Sequence, residues 1–325
     1  MDPTLAQFYS LTPEKALDSI ERQGFPLSGR FLQLNSYENR VFSVELDKDL
    51  KREDQDSSVV AKFYRPERWS LDAVNEEHSF LFELKESGLP VVAPLKLKNQ
   101  ETCFYMETII GTIFPKQQGR SPQELTTEEM KSVGRLVARI HNVGAQKQSE
   151  HRPHLNAESY GDSSLSAIEP ILSAEVRDQY MGLANDILDA CEDLLDEETF
   201  IRIHGDCHKG NLLQTDPIEG PKEFFFVDFD DFCNGPPVYD FWMLFLGQSE
   251  EQKEAFLEGY KEFRSFNLKS LKLIEPLRGI RMIYYSAWIL RRWKDPSFKK
   301  LFPDYGKYNY WAEEVDQLRQ IINSI

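Results

Sequence analysis

Short runs of β-branched and aromatic residues, broken by turns, fill the chain up to about position 107, and from about position 112 apolar residues recur with helical spacing. Phe31 to Leu34, Arg40 to Leu46, Val59 to Tyr64 and Cys103 to Ile110 predict strands. The polar run DKDLKREDQDSS between the second and third predicts a solvated hairpin loop. One helix, from about Asp72 to Glu86, interrupts the strands and is ended by Gly88 and Pro90. After Gly111 the pattern predicts a capped helix over Thr127 to Asn142, a mixed helical stretch from Ser166 to Leu195, and helices near Tyr239 to Leu246, Glu250 to Phe263 and Leu268 to Trp293. The aromatics of YYSAWILRRW in the last fall on helical spacing and are first of all core. The change of period predicts an α+β chain of two lobes joined by a hinge. Residues 1–110 form a small antiparallel sheet with one helix, and residues 111–325 a larger, mostly helical lobe.

The densest chemistry is RIHGDCHKGN, Arg202 to Asn211, followed by the apolar run FFFVDF around Asp228. An aspartate on a short loop, an asparagine five residues on and an aspartate ending the next strand are the parts needed to move the γ-phosphoryl group of ATP. Asp206 would take the proton of the attacking hydroxyl, and Asn211 and Asp228 would hold Mg2+ between the phosphates. Magnesium binds few protein oxygens and keeps its other positions for water and phosphate, so one amide and one carboxylate suffice. The base must be a separate carboxylate, because lone pairs committed to a cation cannot orient a hydroxyl. The plainer alternative is that His204, Gly205 and Asp206 form an ordinary turn. The second aspartate at the end of a strand argues against it.

Lys62 closes the strand in VVAKFY, where a two-lobed kinase needs a lysine for the α- and β-phosphates. Its glutamate partner on the following helix is Glu77 rather than Glu76, because Glu77 shares a face with Leu81 and Leu84. A solvated lysine at a strand end is the competing reading. Over the phosphates stands LNSYENRVF, with no glycine, so Ser36 is the candidate donor, assisted by Asn39 or Arg40, unless Asn35, Ser36 and Asn39 only make a hairpin turn. Met106 to Gly111 would be the hinge, offering backbone groups of Glu107 and Ile109 to the adenine. Asp240, in GPPVYDFW, reads as a helix cap that can also hold the backbone of the Asp206 loop. His141 and His204 read as hydrogen-bonded framework.

Composition narrows the partners. With 38 Lys plus Arg against 54 Asp plus Glu, the formal charge of −16 repels nucleic acid and anionic lipid. No window approaches a membrane span, and the start MDPTLAQFYSLTPEK lacks a basic segment and an apolar core, so a cytoplasmic protein is expected. Cys103, Cys191, Cys207 and Cys233 show no CxxC pair, which fits reduced thiols without structural zinc. Cys207 and Cys233 flank the proposed site and permit oxidation sensitivity, the alternative being small buried side chains.

HGDCHKGN, VDFDD and Asp240 together resemble the aminoglycoside phosphotransferase and choline kinase group, relatives of protein kinases with the same two-lobed fold. Within it, LNSYENRV, KFYRPERW, EEHSF, NGPPVYDFW and YYSAWILRRWKDPSF, spread over nearly the whole chain, are similar to a bacterial branch of cytoplasmic, monomeric serine/threonine kinases acting in stress responses. The resemblance implies Asp206 as proton acceptor, Asn211 and Asp228 as magnesium ligands and Ser36 as an ATP contact. The chain departs from ordinary protein kinases in three ways: no glycine-rich loop, no activation segment, and the turn-rich QTDPIEGPKE between Asn211 and Asp228. The expectation is an ATP-dependent kinase of protein serine and threonine hydroxyls, its own included. The alternatives are a kinase of small alcohols such as choline, homoserine or an aminoglycoside, and a nucleotide-binding scaffold without turnover.

Overall fold

The computed structural model describes residues 3–50, 57–195, 198–215 and 222–325. The first elements along the chain are α1 (Pro3–Tyr9), α2 (Pro13–Arg22), β1 (Leu27–Leu34), β2 (Arg40–Leu46), β3 (Ser58–Phe63), α3 (Leu71–Glu86), β4 (Cys103–Met106) and β5 (Ile109–Pro115). Next come α4 (Thr127–Gly144), α5 (Ser163–Ile168), α6 (Arg177–Leu195), β6 (Ile201–Ile203), β7 (Leu212–Thr215), β8 (Glu223–Phe226) and β9 (Cys233–Gly235). The chain finishes with α7 (Tyr239–Phe245), α8 (Glu250–Lys261), α9 (Ile274–Arg291), α10 (Pro296–Leu301) and α11 (Tyr308–Ile322). Two compact units result: Met1–Glu124 with Lys209–Asp230, and Leu125–His208 with Asp231–Ile325.

The first unit is built on an antiparallel sheet in the order β1-β2-β3-β5-β4. Alternate residues of a strand point to opposite faces. Phe42, Val44, Val59, Ala61, Phe63 and Ile113 therefore share one buried face, packed with Phe8, Leu11, Ala16 and Ile20 from the N-terminal segment. Lys62 falls between Ala61 and Phe63 and belongs to the opposite face. Helix α3 supplies the buried Val74, Glu77, His78, Leu81 and Leu84, and His78 stacks edge-on against Phe114 of β5. Ser70 caps its first turn, and Gly88 at φ +71° follows its end. The loop between β2 and β3 has residues 51–56 outside the described part, while the strands it joins pair in register from Glu45↔Ser58 to Arg40↔Phe63.

The expected single strand over Cys103 to Ile110 is instead a hairpin. β4 turns back into β5 through Glu107 and Thr108, with Met106 opposite Ile109. Glu107 takes φ +57°, the left-handed backbone that a two-residue hairpin turn demands at its first position. The whole run is apolar and aromatic, so its strand character concealed the reversal.

The second unit is mostly helical. Thr126 and Glu129 form a reciprocal capping box at the start of α4. Helices α4 and α8 cross closely at two glycines: a Cβ on Gly134 would lie 2.1 Å from the Phe256 carbonyl oxygen, and one on Gly259 2.0 Å from that of Lys131. The expected helix from Leu268 to Trp293 is a 3-10 segment, Leu268–Leu273, followed by α9. Pro276 accounts for the break, since its ring would clash with the carbonyl four residues earlier if the α-helix began upstream, yet it is tolerated in a first turn. Among the described residues no helix is long and apolar enough to cross a membrane.

Candidate active site

Lys62 is a buried cation surrounded by carboxylates. Its Nζ lies 3.0 Å from Asp228, 3.1 Å from Asp230 and 3.7 Å from Glu77. Burial opposes its charge, but the fields of Asp228, Asp230 and Glu77 outweigh that and raise its pKa well above the ordinary lysine value. Glu77 is itself held by the Tyr64 hydroxyl at 3.3 Å. Lys62 is thus no solvated strand-end lysine, and of the two candidate glutamates Glu77 is the one beside it.

Asn211 and Asp228 come together through a hairpin. β7 pairs with β8 from Leu212↔Phe226 to Thr215↔Glu223, so the residues flanking the pair meet at its open end. There the Val227 N–H donates to the Asn211 carbonyl at 2.9 Å. Asp228 follows with φ +60°, a left-handed conformation uncommon outside glycine and often found at functional positions. Its side chain is 51% exposed, leaving room for a cation beside the Lys62 contact. An amide and a carboxylate at one hairpin end are the hard oxygen donors that magnesium takes. Of the turn-rich segment between them, residues 216–221 lie outside the described part.

The glycine-free segment 35–39 is anchored by side chains. Ser36 Oγ accepts the Asn39 N–H at 3.1 Å. Asn39 is buried, donates from Nδ2 to Asp230 at 3.1 Å and accepts the Arg65 N–H at 3.1 Å. Arg40 lies over the Phe8 ring. These bonds correct the expectation that Asn39 or Arg40 assists Ser36 at a phosphate: both are committed to the framework. Arg65 bonds Glu38 at 3.1 Å, and Arg68 pairs with Asp230. The anchor residues Asp230 and Arg68 were passed over in the sequence, although VDFDD and KFYRPERW carry them.

The expected hinge contacts, Glu107 and Ile109, need correcting as well. Both sit at the tip of the β4–β5 hairpin, where the chain reverses within one sheet rather than passing between units. Ile109 is buried in the core of the sheet, and Glu107 pairs with Lys15 across 3.9 Å.

Asp206 belongs to the second unit, on the loop after β6. Gly205 precedes it at φ +79°, and a Cβ there would lie 2.1 Å from the Asp231 carbonyl oxygen, so the loop requires glycine on two counts. Asp240 fastens the loop from below. Its carboxylate accepts the N–H groups of His204 at 2.8 Å and Gly205 at 2.9 Å and meets His141 Nε2 at 3.0 Å. This corrects the cap reading: α7 is preceded by Val238 with no side-chain cap, and Asp240 spends its oxygens on the loop. His141 is fully buried; burial lowers its pKa against the pull of Asp240, and its Nδ1 faces the Tyr260 hydroxyl at 2.9 Å. His204 is buried and turns Nδ1 toward the Asp206 N–H at 3.3 Å.

The Asp206 carboxylate meets Arg281 of α9 at 2.9 Å on one oxygen and His208 at 3.3 Å on the other. Burial would raise its pKa, but the hydrogen bond from His208 and the charge of Arg281, with smaller help from His204, prevail and hold it well below the usual carboxylate range. Arg281 lies 75 positions downstream of Asp206, with no motif tying the two together. His208 was within the motif. Cys207 and Cys233 are buried, and burial pushes both thiols up, which opposes the thiolate that oxidation requires.

A lysine locked to a helix glutamate, an amide–carboxylate hairpin end and an aspartate loop tied to the following helix are the parts of a kinase-type phosphotransferase. The chain belongs to the phosphotransferase enzyme family, whose model matches residues 31–274. It is 35% identical to stress response kinase A of Escherichia coli O157:H7, over 97% of this chain and 94% of that one. It is likewise 36% identical to the serine/threonine protein kinase RdoA of Salmonella typhimurium strain LT2, with the same shares covered. Among solved structures, amicoumacin kinase hAmiN in complex with AMP-PNP, Ca2+ and Ami superposes with a TM-score of 0.73 at 15% identity, covering 96% of this chain and 94% of that one. The fold is accordingly the α+β, protein-kinase-like one.

Proposed function

We propose that the chain is an ATP-dependent protein serine/threonine kinase that also phosphorylates itself and acts in a bacterial stress response, as a cytoplasmic monomer. The observation that carries the transfer chemistry is Lys62, held between Glu77 and Asp228 with Asn211 at the same hairpin end as Asp228. The names and full-length similarity of the stress response kinases support the protein substrate.

In this reading Lys62 takes the α- and β-phosphates, Glu77 fixes its position and Ser36 stands near the phosphates. Asn211 and Asp228 would hold magnesium, which would supply screening of the phosphate charge. Asp206 orients the acceptor hydroxyl. The hydroxyl oxygen forms a bond to the γ-phosphorus as the bond to the β–γ bridging oxygen breaks, ADP departs with that electron pair, and the proton passes to Asp206 and on to solvent. A carboxylate of low pKa is a weak base, which suits a transition state in which the proton moves late. By role, residues 1–110 serve the nucleotide and 111–325 carry the catalytic loop and acceptor-side helices.

A second reading, a kinase of a small alcohol, is favoured by the likeness in fold to amicoumacin kinase. Incubation of the purified protein with labelled Mg-ATP, alone, with protein substrates and with a panel of alcohols, separates the two. Label on protein serine or threonine is expected. Label confined to a small molecule would replace the first reading with the second.

A further inference from the structure

Asp206 reaches its acceptor already paired. Arg281 Nη2 lies 2.9 Å from one carboxylate oxygen, and the two side chains are only 18% and 21% exposed. His208 Nε2 stands 3.3 Å from the other oxygen. Arginine cannot be neutralised at accessible pH. Burial works against its charge here, yet Tyr239, Asp206, Asp231 and Tyr284 overcome that and stabilise the cation further. Its guanidinium also lies 5.6 Å from the centre of the Tyr284 ring, which itself packs at a tilt against Tyr160 with ring centroids 4.8 Å apart, so the side chain is held by packing as well as by charge.

This pairing bears on which hydroxyl can be used. An amino alcohol carries its ammonium two carbons from the reacting oxygen, so an oxygen placed on Asp206 brings that ammonium within a few ångströms of Arg281. Like charges at such range in a half-buried setting repel strongly. A site for such a substrate wants an unpaired carboxylate beside the acceptor. Asp206 is engaged by Arg281, and Asp240 by His204, Gly205 and His141. Asp231 also acts on Arg281. A serine or threonine hydroxyl within a polypeptide is flanked by neutral amides and meets no such penalty.

We propose that Arg281 is a positioning and specificity-determining residue, which fixes the Asp206 carboxylate toward an incoming hydroxyl and selects hydroxyls on neutral or acidic scaffolds over those beside an ammonium group. The proposal rests on Asp206 as the proton acceptor of the kinase reading. It narrows that reading to protein-like acceptors, with acidic residues near the target serine or threonine preferred to basic ones.

The test compares wild type with Arg281→Gln and Arg281→Lys, using serine peptides with acidic, neutral or basic flanks, and ethanolamine and choline. Arg281→Gln should lower kcat/KM for the acidic and neutral acceptors and shift the acidic-to-cationic preference by about tenfold or more. It should also move the acid limb of the pH profile upward by about one unit, since Asp206 loses its cationic partner. Arg281→Lys should retain the preference and recover part of kcat. An equal loss on every acceptor, with the acid limb unmoved, would overturn the proposal and leave Arg281 as packing. So would a wild-type preference for the ammonium acceptors. A carbon NMR titration of the Asp206 carboxyl, assigned against Asp206→Asn, reads the pairing without turnover. No transfer to any acceptor by wild type would sink the kinase reading, and a carboxyl titration unchanged in Arg281→Gln would sink the pairing.

Discussion

Val227 donates its backbone N–H to the carbonyl of Asn211 at 2.9 Å, and this bond brings Asn211 to the side of Asp228, the next residue along. The spacing between the two in sequence does not keep them apart, because Leu212–Thr215 of β7 pair antiparallel with Glu223–Phe226 of β8. Asp228→Ala removes the carboxylate and leaves Lys62 with Asp230 and Glu77. Calorimetry should find ATP affinity no longer responsive to magnesium in that variant. Unchanged magnesium dependence would remove Asp228 from the proposed metal site.

Asp206→Asn keeps the size of the side chain and removes its charge. Turnover should fall by at least about two orders of magnitude, as when a positioned base is lost, with Mg-ATP affinity altered by no more than about threefold. A variant with full activity in a steady-state assay would exclude Asp206 as the proton acceptor.

Arg68→Ala takes a partner from Asp230, which anchors Asn39 and neighbours Lys62. Stripping one member of a buried ion cluster costs on the order of 3–5 kcal/mol. The expected readouts are a lower Tm, faster amide exchange over residues 35–39 and weaker ATP binding. Exchange over 35–39 as slow as in wild type would mean that the segment is held by something other than this cluster.

Glu314, half-buried on α11, has its pKa raised to about 7 by burial, with Glu313 adding to the effect against a hydrogen bond from Ser286. The folded state therefore holds a proton that the unfolded chain has already released, so between about pH 4.5 and 7 stability falls as pH rises, and above that window the full cost is present. Glu314→Gln should leave stability unchanged near pH 4 and increase it near pH 8 by roughly 1–3 kcal/mol. Equal denaturation midpoints for the two proteins at pH 8 would contradict the assignment.

Lys62 and Glu77 were legible as a pair because their cues are local: the lysine closes the strand in VVAKFY, and Glu77 shares a helix face with Leu81 and Leu84. The helix α4 was legible from Thr126 and Glu129, whose reciprocal cap acts across three residues. α2 carried comparable signals, a capping Thr12 with Pro13 at the first helical position, and was passed over. The β4–β5 hairpin was not legible, because a turn made of Glu107 and Thr108 offers no glycine, asparagine or proline to mark it. The misplaced hinge followed from that.

The order of residues alone carried the kinase-type chemistry as an expectation, since Asp206, Asn211 and Asp228 are close in the chain and their types are those that the proposed transfer requires. Which groups condition those residues was decided only on folding. Arg281 reaches Asp206 from 75 positions away, and Arg68 reaches Asp230 from 162. Charge acts through space rather than along the backbone, so an electrostatic partner leaves no periodic trace in the sequence and is selected when helices and loops pack.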